Sequence, residues 1–131
     1  MRRGFALLAA LLVLGLSGCG TTTSEDDARG SAQRFFSALT RHDGEAACHE
    51  LAEETATAVA DEEKKPCGEA VLSLGLPTAP VRHLEVYLGS AQAKLQGGGA
   101  VFLDETAKGW KVSAAGCEPQ SGKPYDCDLE D

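Results

Sequence analysis

The chain has no hydrophobic run long enough to cross a bilayer. Its one uncharged apolar stretch, Gly4 to Leu16, has 13 residues, against the roughly 20 a helix needs to span about 30 Å of hydrocarbon. Positive charge is scarce too. There are 12 Lys and Arg against 20 Asp and Glu, and Arg2 and Arg3 lie ahead of every acidic residue, so residues 19–131 carry a net charge of −10. Such a surface repels phosphate and anionic headgroups, which argues against nucleic acid as a partner and against unaided adhesion to a membrane. No CxxC pair is present, no Gly-x-Ser-x-Gly turn, and no glycine pattern that would cradle a phosphate; Gly97-Gly98-Gly99 lies between strands, not ahead of a helix. His49-Glu50-Leu51-Ala52-Glu53 falls short of a zinc helix because Glu53 stands where the second imidazole belongs. The acidic tail of Asp126, Asp128, Glu130 and Asp131 lacks the turn glycine of a calcium loop. These absences predict no metal, no cofactor and no catalytic constellation.

What is present begins with an address. Met1-Arg2-Arg3 is a short basic segment, and the 13-residue apolar stretch behind it has the proportions of a cleaved secretory signal. Leu16-Ser17-Gly18-Cys19 follows and resembles the bacterial lipobox. Small residues at 17 and 18 suit an extended chain in a peptidase cleft. The resemblance implies cleavage before Cys19, a thioether-linked diacylglycerol on its sulfur, and attachment to the extracytoplasmic face of the cell membrane. Two or three acyl chains, at about 0.8 kcal/mol per buried CH₂, make such attachment stable. The expected organisation is a signal peptide over 1–18, a lipidated cysteine and polar tether over 19–26, and one domain over 27–131.

Within the domain the hydrophobic period changes once. Ser24-Glu25-Asp26-Asp27 reads as a capped, acidic helix start, and Ala28, Ala32, Phe35, Phe36 and Leu39 share one helical face until Asp43-Gly44. A second helix is expected from about Glu45, with Ala47, Cys48, Leu51, Ala52, Thr55 and Val59 inward and Glu50, Glu53 and Glu54 on its wet side. Pro66 suits the first position of a third helix, which buries Cys67, Ala70, Val71 and Leu74 and stops at Gly75 and Pro77. The period then falls to two. Leu84, Val86 and Leu88 share one face of a strand; residues 91–96 alternate; Gly97-Gly98-Gly99 supplies a turn; Ala100–Asp104 and Gly109–Ala115 follow as strands, with Trp110, Val112 and Ala114 on one side. Beyond Gly116 the tail reads as short turns. Helices first and an antiparallel meander after them give a segregated α+β domain.

Several residues carry a further resemblance: Phe35-Phe36-x-x-Leu39, Asp43 with Ala47-Cys48-x-x-Leu51, Gly109-Trp110-Lys111-Val112, Gly116-Cys117-x-Pro119, and Pro124-Tyr125-Asp126-Cys127. Over roughly residues 27–130 the chain resembles the small lipoproteins with an NTF2-like (SnoaL-like) domain. That resemblance implies N-terminal helices packed on a curved antiparallel sheet, a cone with a cavity between the two. The strand such domains place between their second and third helices has no counterpart in this sequence.

Four cysteines remain. Cys48, Cys67, Cys117 and Cys127 are an even set in a chain addressed to an oxidising space, where disulfides persist. Three pairings are open; the favoured one is Cys48–Cys67, tying the second helix to the third, with Cys117–Cys127 closing the tail. On a loop-entropy argument each contributes about 3 kcal/mol. For a site, Val81, His83, Glu85 and Tyr87 share one strand face, and a His83–Glu85 pair two residues apart is suited to acid–base work if that face borders a cavity. The expectation is therefore a membrane-anchored lipoprotein with a non-catalytic binding or accessory role, meeting an envelope protein or a small ligand. The alternative is a small enzyme working through His83 and Glu85.

Overall fold

A computed structural model describes residues 21–131. The expected signal segment over 1–18 and the expected lipidated Cys19 lie outside the described residues. Four helices, α1 (Thr21–Thr40), α2 (Gly44–His49), α3 (Glu53–Glu63) and α4 (Cys67–Ser73), precede five strands, β1 (Val81–Tyr87), β2 (Ser90–Leu95), β3 (Ala100–Thr106), β4 (Gly109–Gln120) and β5 (Lys123–Leu129). The strands form one antiparallel meander in the order β1-β2-β3-β4-β5. The helices cover one face of it. No described helix is long and apolar enough to cross a membrane.

The core follows from the periods. Ala28, Ala32, Phe35, Phe36, Ala38 and Leu39 of α1 pack with Leu84, Ala91, Ala93, Leu95, Val101, Leu103, Trp110 and Val112 from the sheet, and all are buried. Alternation inward and outward along β2 and β3 is what a sheet with one covered face requires.

The helices depart from expectation at three places. First, the chain is already helical at Thr21, so Ser24 lies within α1 and is not its cap, and residues 21–26 are helical, not an extended tether. Second, the single helix expected from Glu45 is two. Its apolar spacing is helical throughout, but Val112 of β4 donates its N–H to the Glu50 carbonyl and accepts from the Ala52 N–H, both at 2.8 Å. Leu51 thereby makes a single parallel bridge to Val112. Sheet pairing replaces the helical bonds there, a tertiary gain that overrides local propensity. Third, Pro66 caps α4 from outside, and the helix begins at Cys67.

Close packing of α2 on α4 rests on two glycines. A Cβ placed on Gly44 would stand 2.8 Å from the Cα of Gly68 and overlap its carbonyl group. Asp43, just ahead, caps α2 through its side chain, which accepts from the Ala46 N–H at 3.1 Å.

In the sheet, Leu84 and Val86 face the helices, but Leu88 does not join them: it sits in the turn between β1 and β2, fully exposed. Ala114 is also reassigned. The register slips between Phe102↔Ala114 and Leu103↔Val112, so Ala115 takes the inward position and Ala114 the outward one; a bulge shifts every later side chain by one. Finally, the tail is not a string of turns. β4 runs to Gln120 and β5 returns along it through the two-residue turn Ser121-Gly122.

Candidate binding face of the sheet

The helix-covered side of the sheet is filled with side chains, and the cavity implied by the resemblance is not a closed chamber among the described residues. A cleft of about 670 Å³ opens at its rim, between Thr23, Ser24, Asp26 and Asp27 of α1 and the β3–β4 turn with Trp110. Candidate chemistry lies instead on the opposite, uncovered face.

There β1 aligns His83, Glu85 and Tyr87 by simple alternation. The His83 Nε2 and Glu85 Oε1 are 3.0 Å apart, and the Tyr87 hydroxyl donates to Glu85 Oε2. One carboxylate thus bridges an imidazole and a phenol. The Tyr87 bond, then the His83 bond, hold the Glu85 carboxyl below its ordinary 4.5. Reciprocally, Glu85 holds the Tyr87 phenol above 10.0. The His83 and Glu85 side chains are 57% and 41% exposed, so the pair expected from the sequence is assembled but stands in solvent.

Beside it runs a trough of about 550 Å³ lined by Arg82, His83, Lys94, the Gly97–Gly99 turn, Pro119 and Tyr125. Lys94 is opposite His83 in the β1–β2 register. Tyr125 of β5 packs edge-on against Phe102 with ring centroids 5.2 Å apart, so the tail hairpin forms one wall. In a chain this acidic, one guanidinium and one ammonium group sharing a trough with an imidazole are a local exception.

All four cysteines are paired as Cys48–Cys67, with Cα atoms 6.1 Å apart, and Cys117–Cys127, with Cα atoms 3.9 Å apart. The first joins α2 to the first residue of α4. The second joins directly opposed residues of β4 and β5.

Comparison with protein-family models, curated proteins and solved structures finds no match.

Sequence reasoning misplaced one charged group. Glu50, expected on a wet helix face, is buried. Arg34 clasps it with Nε at 2.8 Å from Oε1 and a second nitrogen at 3.2 Å from Oε2, and the buried Ser31 hydroxyl donates to Oε2 at 3.2 Å. The hydrogen bond to Glu50 raises the Arg34 pKa further. The break after α2 turns Glu50 inward, and nothing in a helical periodicity announces that break. Arg34 is three positions after Ser31 on α1, a spacing that puts both on one face; that was the available signal.

Proposed function

We propose that the chain is an exported lipoprotein, cleaved before Cys19 and held by acyl chains at the extracytoplasmic face of the cell membrane. Its domain is an NTF2-like cone that serves as a non-catalytic binding or accessory module of the envelope. The observation that carries this reading is the cysteine arithmetic. Four of the five cysteines pair within the domain, a state that persists outside the cytosol, and the fifth sits at the lipobox position. Four helices ahead of a five-stranded meander support the cone. The uncovered sheet face, with its trough between Arg82, Lys94 and Tyr125, is the surface offered to an envelope protein or small ligand.

The test is intact mass of the protein from a membrane fraction. Loss of residues 1–18 and added acyl mass on Cys19 are expected, and Cys19→Ala leaves an unprocessed, unacylated chain. Recovery from cytosol with Met1 in place and free thiols overturns the reading. The binding role is tested by photocrosslinking in cells from position 83 and, as a control, from exposed Asp61 on α3. Adducts at 83 alone are expected; equal capture from both removes the assignment of the face.

A second reading, an enzyme using His83 and Glu85, is favoured by the 3.0 Å contact between them. Their exposure weighs against it, because acid–base catalysis gains from a water-excluding site.

A further inference from the structure

Tyr87 and Leu88 are the exposed large hydrophobic residues among the described residues, and they are adjacent. The Tyr87↔Ser90 pair closes over Leu88-Gly89, whose φ values are +40° and +87°. A two-residue hairpin turn with both φ positive favours asparagine or glycine at its first position. A leucine there is strained, and its side chain recovers nothing by burial. Strain kept without packing points to a contact made elsewhere.

The place of this turn in the fold says with what. The Glu105 N–H donates to the Gly89 carbonyl at 2.7 Å, so the β1–β2 turn lies at the same end of the sheet as the β3–β4 turn. Lys108 and Gly109 of that second turn share a cleft with Thr23, Ser24, Asp26 and Asp27, which puts the start of α1 at this end too. Cys19 precedes Thr21 by two positions, a reach of at most about 7 Å.

We propose that the β1–β2 turn is a second contact with the lipid bilayer: Leu88 enters the interface near the acyl chains of Cys19, Tyr87 lies at headgroup level, and the domain stands with this end down. The proposal rests on the lipid-anchor reading. A leucyl tip alone binds a membrane too weakly to matter, but beside an anchor its insertion is intramolecular and the two contributions reinforce each other. The contact is apolar in kind. Asp26, Asp27, Asp104 and Glu105 outnumber Lys108 and Lys111 at this end, so anionic lipid gives no advantage.

The test uses the full-length protein purified from membranes and reconstituted into phosphatidylcholine vesicles, with and without bromine-labelled acyl chains. Trp110 is buried and supplies a constant background. Leu88→Trp is compared with Gln96→Trp, which sits at the opposite end of the sheet. Emission of Leu88→Trp shifts to the blue and is quenched at least twofold by bromolipid; Gln96→Trp and the parent are not, and adding phosphatidylglycerol changes none of these. An unquenched Leu88→Trp on protein that floats with vesicles and carries acyl mass overturns the contact and leaves the anchor standing. Protein without acyl mass that stays with the aqueous phase overturns both. Amide exchange provides a measurement free of the tryptophan: turn amides of the parent are slowed severalfold by vesicles, and those of Leu88→Gly, which suits the turn, are not. Equal exchange of the parent with and without lipid overturns the proposal.

Discussion

The two disulfides tie down unlike regions. Cys48–Cys67 spans 19 residues and encloses the whole of α3, joining two helices whose backbones already touch at Gly44 and Gly68. Cys117–Cys127 spans 10 residues and joins strands already paired by a ladder. By loop entropy alone the two differ little, at about 3 kcal/mol each. They differ in what surrounds them. The helical region is knit into the core through Ala47, Leu51, Val59, Ala70 and Val71, whereas β5 contributes only Leu129 to it. A staple within a cooperative core acts on global unfolding; one at a sheet edge acts on local opening.

The contrast is broken most forcefully at Gly44. Gly44→Ala pushes a methyl group into the Gly68 backbone, and a loss of 3 kcal/mol or more is expected, read as a fall in denaturant midpoint. Gly68→Ala, whose nearest neighbours stand at 3.1–3.2 Å, loses less. If the two losses are equal, the helices are not in the close contact described.

Removing the first staple, by Cys48→Ala with Cys67→Ala, lowers global stability by about 3 kcal/mol. Removing the second, by Cys117→Ala with Cys127→Ala, lowers it by about 1 kcal/mol while amides of Lys123–Leu129 lose protection against exchange and those of β3 keep it. Equal global losses would erase the distinction.

Arg34→Ala sharpens the account of the helical region. It leaves the buried Glu50 carboxylate with the Ser31 hydroxyl as its side-chain hydrogen-bond donor and the exposed His49 ring 4.0 Å away. Because the Arg34 side chain is 61% exposed, water repays part of the loss, and about 1–2 kcal/mol is expected. A double-mutant cycle with Glu50→Gln isolates the pair.

The smallest effect belongs to the uncovered face. Glu85 titrates below 4.5 in the folded chain. A depressed folded value means that its contribution to stability is present above the unfolded value and disappears as pH falls through the folded one. The Glu85 side chain is open to water, which screens its contacts, so the measurement is an NMR carboxyl titration and not a melt. Tyr87→Phe removes the leading cause and moves the midpoint up towards 4.5; an unmoved midpoint rules out the Tyr87 bond in solution.

Much of this architecture is readable from residues one at a time. The change of period after Gly75 separates helices from strands, and the alternation in residues 91–96 assigns faces; in the tail, Tyr125, Cys127 and Leu129 alternate with Asp126 and Asp128, a strand signal that a reading as turns passes over. What escaped reading shares a cause. The break at Leu51, the burial of Glu50 and the outward turn of Ala114 each depend on a neighbour distant in sequence: Val112, Arg34, or the slipped register opposite Phe102.

The sequence by itself determined which residues are apolar and at what period, where acidic charge accumulates, and that four cysteines come as an even set. These follow from local chemistry, since side-chain transfer from water and backbone preference act within a few residues. Tertiary structure alone decided that one helical pattern is cut in two, that a carboxylate goes inside with its arginine, and that a leucine is left outside the core on a strained turn. Each is a trade between local preference and a contact made across the fold, and only the assembled chain holds both sides of it.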